Sequence, residues 1–283
     1  MLSKVKRLLM FSLVVLTMAG LVFIAGCAGK SPGTGAPGEK VELSGTIKET
    51  GSTSVLPLAE ALAKEFMKLH PKVRIETGGG GSGAGFKQCV AGTVDLGAIS
   101  REPKITEADL ISYPVARDAV AIVVHSTNPV NGLKIEDVAK IYAGEITDWS
   151  QVGGKAGKIT VVTREEGSGT RDCFEEKVMK NKKIAGSVIL KNSNGEIQEA
   201  VSADAAAIGF VSLGYITGLK ALDIEGVKCT LETCQKGDYP LVRRLYFIAK
   251  GTPSNAVKEF IDFARGPQGQ KIAQEKGFVP LVQ

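Results

Sequence analysis

Histidine is nearly absent from this 283-residue chain, which has only His70 and His125. Neither stands at metal-ligand spacing from a cysteine, so the sequence gives no support for a metal site. His70 precedes Pro71 at the end of a helical pattern, and His125 ends an apolar run, which indicates structural roles for both. We therefore expect no metal and no cofactor.

A strong charge of either sign is also lacking, because 35 Lys and Arg face 30 Asp and Glu for a net charge of +5. Lys4, Lys6 and Arg7 belong to an N-terminal segment that we expect to be removed, and their loss leaves +2. This composition does not supply the basic field of a nucleic-acid-binding protein. Its 43% hydrophobic and 23% charged residues are typical of a globular domain.

An apolar run over residues 8–24 follows those basic residues and leads into Ile-Ala-Gly-Cys at residues 24–27. This pattern predicts a secretory signal peptide over residues 1–26. Its end resembles a lipobox, in which Cys27 becomes the lipidated N-terminus. A transmembrane anchor is the alternative, since the run is nearly long enough to span a bilayer. Either way, we expect an extracytoplasmic chain anchored at the outer face of the membrane, in a periplasm or at the cell surface. The Gly- and Pro-rich residues 27–43 would form a flexible tether.

Cysteine is sparse in the mature chain, where Cys89, Cys173, Cys229 and Cys234 follow Cys27. Cys229 and Cys234 flank four residues, a spacing that allows either a disulfide in an oxidising exterior or two free thiols. Cys89 and Cys173 lie in predicted helices that diverge from each other. We therefore expect two small buried side chains there rather than a bridge.

Strand-like and helix-like segments alternate from residue 44 onward. Strands are predicted over residues 44–50, 73–76, 94–99, 119–125, 159–163, 207–213 and 243–250. Helices are predicted over residues 55–69, 86–91, 135–142, 171–180 and 255–264. Because this order occurs both before and after about residue 120, we expect two lobes with parallel strands and helices on both faces.

Three short stretches place glycines and hydroxyl side chains directly before predicted helices, at residues 51–54, 78–85 and 167–170. A helix start presents unpaired backbone N–H groups and the positive end of the helix dipole, and small residues let an anion approach them. One such stretch indicates only a capped helix. Three of them at strand ends predict a single tetrahedral oxyanion held across a cleft.

Arg164 stands at a predicted strand end, three residues before Gly167. A guanidinium fork binds an oxyanion through two parallel hydrogen bonds, which lysine cannot reproduce. We expect Glu166 to support Arg164 by an ion pair, and the alternative is a surface arginine paired with Glu165. Arg101, directly after Ser100, is a second candidate ligand.

Two other motifs fit the glycine-rich stretch at residues 78–85 less well. Its glycines match a dinucleotide fingerprint, which repeated glycines satisfy easily, and the lysine of a Walker A loop is missing. Residues 80–84 approach the nucleophile elbow of a hydrolase with Ser82 as nucleophile, but His70 or His125 would have to supply the base. We therefore predict a protein that is not an enzyme, with a Ser82 phosphoester hydrolase as the main alternative.

Several ordered motifs resemble the phosphate-binding subunit of bacterial and archaeal phosphate ABC importers. They cover almost the whole mature chain, at residues 49–57, 80–88, 94–101, 164–171, 207–215 and 239–241. The resemblance implies the α/β type II periplasmic-binding-protein fold, in which two α/β lobes are joined by two crossover strands with the ligand cleft between them. One lobe would comprise residues 44–120 plus 238–283, and the other residues 121–237.

The resemblance also implies which residues bind phosphate. The matching positions are Thr53, Ser54, Ser82, Arg164, Ser168, Gly169 and Thr170, with Glu166 supporting Arg164, and Ser100 and Arg101 complete the candidate set. Many family members have, at the position of Ser100, an Asp that accepts the phosphate proton. Its absence predicts either that Glu166 or Asp118 takes that proton or that the rejection of sulfate is partly lost.

We therefore predict a monomeric, lipid-anchored receptor that captures inorganic phosphate between two lobes and delivers it to the membrane permease subunits of an ABC transporter. Sulfate, molybdate and tungstate are alternative ligands for the same fold.

Overall fold

The computed structural model describes residues 42–107 and 109–281. The predicted signal peptide, Cys27 and all but the last two residues of the tether lie outside this part of the chain. The strands are β1 (Gly45–Gly51), β2 (Val73–Gly78), β3 (Leu96–Ile99), β4 (Leu110–His125), β5 (Gly132–Leu133), β6 (Thr160–Arg164), β7 (Ile189–Lys191), β8 (Ala207–Ser212), β9 (Leu219–Ala221), β10 (Asp223–Ile224) and β11 (Val242–Lys250). The helices are α1 (Leu56–Leu69), α2 (Ser82–Ala91), α3 (Ile135–Tyr142), α4 (Gly169–Phe174), α5 (Asn194–Ala203), α6 (Leu231–Lys236), α7 (Asn255–Arg265) and α8 (Pro267–Glu275).

β4 and β11 pair with each other in antiparallel fashion at the centre of the main sheet. The apolar run over residues 119–125 is the almost fully buried end of β4, as expected for a strand covered on both faces. On one side β11 continues into β3, β1 and β2, and on the other β4 continues into β8, β6 and β7. These two strands therefore join two halves of the sheet.

The first half is built on three parallel strands, with β1 between β2 and β3. α1 begins where Pro57 fits the first helical turn, a position that needs no backbone N–H donor. Its apolar face, at Leu58, Leu62 and Phe66, is buried in one hydrophobic cluster with α7. Phe66 meets Phe260 of α7 edge to face, with ring centroids 5.3 Å apart. This packing fixes the position of α1 on the sheet.

The second half has β6 parallel to both β7 and β8. Its hydrophobic cluster is built around three aromatic rings. Phe174 of α4 stacks on Phe210 of β8 with ring centroids 4.2 Å apart, and Tyr142 of α3 packs on Phe174 at 4.5 Å. The buried phenol of Tyr142 donates a hydrogen bond to the carbonyl of Val162 in β6. These contacts hold the start of α4 at the end of β6.

Helices begin where strands of both halves end: α1 after β1, α2 after β2, α4 after β6 and α5 after β7. Parallel strands bring such ends to one edge of their sheet. No helix within the described ranges has both the length and the apolar character needed to cross a membrane.

Most predicted strands and the helices α1, α3 and α7 are confirmed to within a few residues. The sheet is mixed rather than parallel, because β4 and β11 run antiparallel to their neighbours. α2 begins at Ser82 rather than at Phe86, so the helix also includes Gly83, Ala84 and Gly85. The apolar pattern does not indicate α5 or α8, whose buried faces carry few large apolar side chains.

Candidate functional site

Hydroxyl side chains from three helix starts meet where the two halves of the sheet face each other. Ser54 precedes α1, and its Oγ lies 2.9 Å from the Oγ1 of Thr170 in the first turn of α4. Ser82 opens α2, and its Oγ accepts a hydrogen bond from the backbone N–H of Ser100 at 3.1 Å. All four side chains are buried. The structure therefore brings together residues that lie more than 100 positions apart in the sequence.

Gly169 fills the space between the two serines of the first half. A Cβ atom built on Gly169 would lie 2.3 Å from Ser82 Oγ and 2.7 Å from Ser100 Oγ, closer than any side chain tolerates. The first residue of α4 therefore approaches Ser82 and Ser100 through its backbone alone, and this requires glycine.

The backbones of the two halves also touch directly. The N–H of Gly83 donates a hydrogen bond to the carbonyl of Gly167 at 2.8 Å. Gly167 has a φ of +86°, a conformation that favours glycine. Ser168 then caps α4 by accepting a hydrogen bond from the N–H of Arg171. The stretch over residues 167–170 thus shapes a turn, caps a helix and contacts the start of α2.

Arg164 ends β6 with its side chain only 1% exposed. Its Nε and Nη2 donate to the carboxylate of Glu165 at 2.8 and 2.9 Å, and Nη2 also donates to the carbonyl of Asn192 at 3.2 Å. Its Nη1 is buried and has no hydrogen-bond partner among the described residues. The prediction that Glu166 supports this arginine is wrong, because Glu166 is exposed while Glu165 forms the ion pair. Of the alternative, the pairing with Glu165 is confirmed, whereas the surface position is wrong because Arg164 is buried.

Arg243 and Asp118 form a buried ion pair behind the hydroxyls, which the sequence patterns do not reveal. Arg243 Nη2 lies 2.7 Å from Asp118 Oδ2, and the same Nη2 donates to Ser54 Oγ at 2.8 Å. Its Nη1 donates to the carbonyl of Ser100 at 3.0 Å. The guanidinium therefore orients two of the candidate ligand residues, Ser54 and Ser100, at once. Each member of the pair stands beside another charged residue in its strand, Asp118 after Arg117 and Arg243 before Arg244, so the sequence does not show which charge of each strand is buried.

Asp118 is buried and already accepts hydrogen bonds on both carboxylate oxygens. Besides Arg243, it accepts hydrogen bonds from Ser212 Oγ at 2.9 Å and from the backbone N–H of Leu213 at 3.2 Å. The prediction that Asp118 or Glu166 accepts a ligand proton therefore finds no support in the geometry, because Asp118 is paired with Arg243 and Glu166 is exposed.

A fourth helix start, that of α5, also reaches the site. The side-chain amide of Asn194 donates to Thr53 Oγ1 and to Ser54 Oγ, both at 3.0 Å, and the phenol of Tyr215 donates to the carbonyl of Thr53 at 3.0 Å. The sequence does carry a signal for this helix start. Ser193 followed three residues later by Glu196 is a capping-box pattern, and Ser193 Oγ accepts the N–H of Glu196.

Arg101 is turned away from the hydroxyls, so its assignment as a ligand is not supported by its contacts. It forms two hydrogen bonds with the carboxylate of Glu107, at 2.9 and 2.5 Å. Its Nε lies 2.9 Å from Asp172 Oδ2 of α4, without the alignment of a hydrogen bond, and Lys104 Nζ lies 3.1 Å from the same oxygen. Burial alone would raise the pKa of Glu107, but the hydrogen bonds from Arg101 and from the Lys104 backbone bring it below its usual value.

The four cysteines of the described part of the chain are buried free thiols, so the bridge between Cys229 and Cys234 is not formed in the structure. Burial raises the pKa values of Cys89 and Cys173. A hydrogen bond with Cys234, together with burial, also raises the pKa of Cys229. The described residues contain no group of three or more His, Cys, Asp or Glu side chains that could hold a metal ion.

Neither histidine is placed to activate Ser82. The ring of His70 packs on Phe66 at the end of α1, with centroids 4.4 Å apart. His125 Nδ1 is hydrogen-bonded within its own turn to Thr127 Oγ1 at 2.8 Å. Ser82 instead contacts Ser100, with their Oγ atoms 3.4 Å apart. A hydrolase would therefore lack the base that the sequence offered.

Comparison with known proteins finds consistent similarity along the chain. Residues 37–267 match the model of the PBP superfamily domain. The phosphate-binding protein PstS of Bacillus subtilis is 31% identical over 281 residues, which cover 95% of this chain and 93% of that protein. A Clostridium perfringens protein described as a phosphate ABC transporter substrate-binding protein, solved with bound phosphate, aligns with a TM-score of 0.82 at 33% identity over 84% of this chain and 100% of that chain. An ABC-type phosphate transport receptor from Vibrio cholerae aligns with a TM-score of 0.71 at 34% identity over 83% and 100%.

Proposed function

The chain belongs to the PstS-like family of phosphate-binding proteins, the substrate-binding subunits of phosphate ABC transporters, and from this membership we propose that it captures inorganic phosphate and delivers it to a membrane permease. Its mixed α/β architecture is the type II periplasmic-binding-protein fold. Its relatives are binding proteins of transport systems rather than enzymes. We accordingly propose that Ser82 binds phosphate and carries out no catalysis.

The buried guanidinium of Arg164 is the observation that carries this proposal. Its Nη1 is buried and donates no hydrogen bond to any described residue. A buried donor without a hydrogen-bond partner costs free energy. The hydroxyls of Ser82 and Thr170 and the amides of the helix starts add further donors where the two halves meet. A tetrahedral oxyanion supplies the missing acceptors. Each charge-assisted hydrogen bond contributes roughly 1.5–3 kcal/mol, and several of them suffice for micromolar affinity after ordering costs.

We also propose that the two halves of the sheet are lobes that close on the ligand, with residues 44–120 plus 238–283 in one and residues 121–237 in the other. Separate hydrophobic clusters support this division, one around α1 and α7 and one around α3, α4 and α5. β4 and β11 cross between the clusters, so bending of these strands would open the cleft.

Selectivity for phosphate over sulfate should be weak in this site. A carboxylate that accepts the phosphate proton would repel sulfate, but Ser82 and Ser100 are neutral and can donate or accept. We propose that both protonation states of phosphate bind and that sulfate competes. Titration with phosphate in excess sulfate would show a large loss of apparent affinity. An unchanged phosphate affinity would mean that another group reads the proton.

We also propose that the chain is lipidated at Cys27, lies outside the cytoplasm and is a monomer. These proposals rest on the sequence pattern of residues 8–27 and on the family. Cells that express the chain would incorporate a fatty-acid label into the wild type and not into Cys27→Ser.

Native mass spectrometry of the purified protein, followed by phosphate titration, tests the proposed function. We expect one retained or added phosphate per chain in the wild type. Arg164→Lys should weaken binding by about a hundredfold, because a lysine cannot both keep the two bonds to Glu165 and present a further donor to the anion. The matched control is Arg74→Lys, an exposed arginine paired with Glu76, which should leave affinity unchanged. A wild type that binds no phosphate, or an Arg164→Lys protein that binds normally, would overturn the proposal.

The hydrolase alternative has its own test. Turnover of a chromogenic phosphate ester that disappears in Ser82→Ala would replace the transport function with catalysis.

A further inference from the structure

A second basic cavity lies on the face of β11 opposite the hydroxyl site. Successive side chains of a strand point to opposite faces, so Arg243 reaches Ser54 while Arg244 reaches the other side. The cavity there has a volume of about 650 Å³ and is bordered by β4, β11, the end of α7 and Leu281. Arg243 borders both this cavity and the hydroxyl site, whereas Arg117, Arg244 and Arg265 line the cavity and contact none of the hydroxyls.

Two arginines in this cavity are direct cross-strand neighbours. Arg117 of β4 pairs in register with Arg244 of β11, and like charges placed opposite each other destabilise a sheet. Arg265, the last residue of α7, lines the same cavity. Within the described residues none of these three arginines forms a salt bridge with a carboxylate. Glu102 is the acidic residue of the lining, and its carboxylate already accepts a hydrogen bond from the phenol of Tyr246.

Arg117 is held in place by hydrogen bonds to two main-chain carbonyls. Its Nη2 donates to the carbonyl of Cys234 at 2.9 Å and its Nη1 to that of Gln235 at 3.4 Å, at the C-terminal end of α6. These bonds satisfy helix-end carbonyls but do not neutralise the guanidinium. Arg244 and Arg265 are exposed and extend into the cavity from two other directions. The three arginines therefore stand on separate elements around one cavity, and Arg117 is the one held by hydrogen bonds to helix-end carbonyls.

We propose that this cavity binds a multiply charged anion that carries two or more phosphate or carboxylate groups. Arg117, Arg244 and Arg265 against Glu102 leave a formal charge of +2, while Arg243 is already compensated by Asp118. Guanidinium forks match phosphate and carboxylate oxygens equally well. The volume lies within the range of about 300–1,000 Å³ that small-molecule sites occupy, and it exceeds what one tetrahedral ion needs.

Calorimetric titration of the full chain tests the site, with inorganic phosphate held at saturation so that the hydroxyl site is filled. Tripolyphosphate and citrate are the probes, and the difference between their affinities shows whether the cavity prefers phosphate or carboxylate groups. We expect one additional binding event per chain for at least one probe, weakened by added salt. The double variant R244Q/R265Q should lose at least about tenfold in affinity, since each guanidinium contributes a charge-assisted bond.

The matched control is K250Q/K258Q, which removes the same charge from the same two elements, β11 and α7, outside the cavity. It should keep the affinity of the wild type. Binding lost equally in both double variants would reduce the effect to net charge and contradict the site, as would a wild type that binds neither probe.

Folding is checked by thermal unfolding without added anion. R244Q should be at least as stable as the wild type, because it relieves the repulsion by Arg117. Should the double variant fold poorly, exposed R265Q alone carries the same test. If the wild type binds no inorganic phosphate, the titrations are repeated without it. The comparison of R244Q/R265Q with K250Q/K258Q then still shows whether the cavity binds the anion.

Discussion

Glu49 is a carboxylic acid buried in β1, two residues before the stretch that leads into α1. It is 3% exposed, and neither of its carboxyl oxygens has a hydrogen-bond partner among the described residues. Burial, with a smaller contribution from the charge of Glu60, raises its pKa to about 8. At neutral pH the folded protein therefore holds Glu49 mainly in its protonated form, whereas the unfolded chain has released that proton.

This difference makes stability depend on pH in a predictable direction. The folded-state pKa lies above the unfolded value of 4.5, so the unfolding free energy is highest at acidic pH and falls as pH rises toward about 8. The slope from this one group approaches about 1.4 kcal/mol per pH unit within that window. Glu49→Gln cannot ionise, so its stability relative to the wild type should increase from pH 5 to pH 8 in urea unfolding. Exposed Glu199→Gln serves as the control, and a constant difference between Glu49→Gln and wild type would contradict the prediction.

At Gly169, the addition of a single methyl group should strongly weaken phosphate binding. Gly169→Ala places a methyl group 2.3 Å from Ser82 Oγ, so the start of α4 must move away from Ser82 and Ser100. Overpacking of this kind costs about 1–3 kcal/mol, and if the bound state bears this cost the phosphate affinity falls by about fivefold to about 150-fold. Isothermal titration measures the loss. Gly186→Ala, where a Cβ meets nothing within 4 Å, should bind as the wild type does.

Residue type and spacing were enough to predict the hydroxyls and Arg164, but not the partners of the charges. Glu165 and Glu166 are chemically equivalent in the sequence, and the turn after β6 directs one toward Arg164 and the other to solvent. Arg101 likewise follows a strand end as a ligand would, yet Glu107 and Asp172 lie closer to it than the hydroxyls do. Such choices depend on side-chain directions that tertiary packing decides.

At the scale of elements, α4 connects the two halves through charge as well as through backbone. Asp172 on α4 faces Arg101 and Lys104, which belong to the segment after β3. Arg101 is buried and remains paired with Glu107 whether or not Asp172 is present. The contact of Asp172 can therefore form and break with closure without leaving an unpaired buried charge.

Asp172→Asn should release phosphate faster with little change in stability. A partly exposed ion pair of this kind contributes about 1 kcal/mol, which corresponds to about fivefold in the dissociation rate. Stopped-flow dilution of a phosphate-loaded protein measures the rate. Asp262→Asn removes an ion pair that lies within α7 and should leave the rate unchanged. Equal rates in wild type and Asp172→Asn would show that this contact does not hold the closed state.

Elements with strong apolar periodicity, such as α1 and α3, were predicted from the sequence, and those with weak periodicity were not. α5 buries Ile197 and Val201 but opens with buried Asn194, so its inner face alternates in polarity. The antiparallel course of β4 and β11 could not be predicted either, because a doubly buried strand has the same composition in both directions.

For the whole molecule, phosphate should couple two hydrophobic cores that do not otherwise merge. A ligand that contacts both halves stabilises them together, by about 2.7 kcal/mol at a hundredfold excess over its dissociation constant. Trp149, the single tryptophan, lies in the second core and reports its unfolding by fluorescence, while circular dichroism follows the whole chain. Both thermal transitions should move upward together with added phosphate. A Trp149 transition that stays in place while the other moves would place the ligand on the first half alone.

The hydrogen bond from Gly83 N–H to the carbonyl of Gly167 joins the two halves through main-chain atoms only. Exchanges of the hydroxyl side chains beside it, at Ser82 and Ser100, leave both of these main-chain atoms unaltered. The side chains that line the cleft can therefore be varied to favour arsenate or another oxyanion while the hydrogen bond between Gly83 and Gly167 is kept. Such variants could serve as the sensing module of a fluorescent probe.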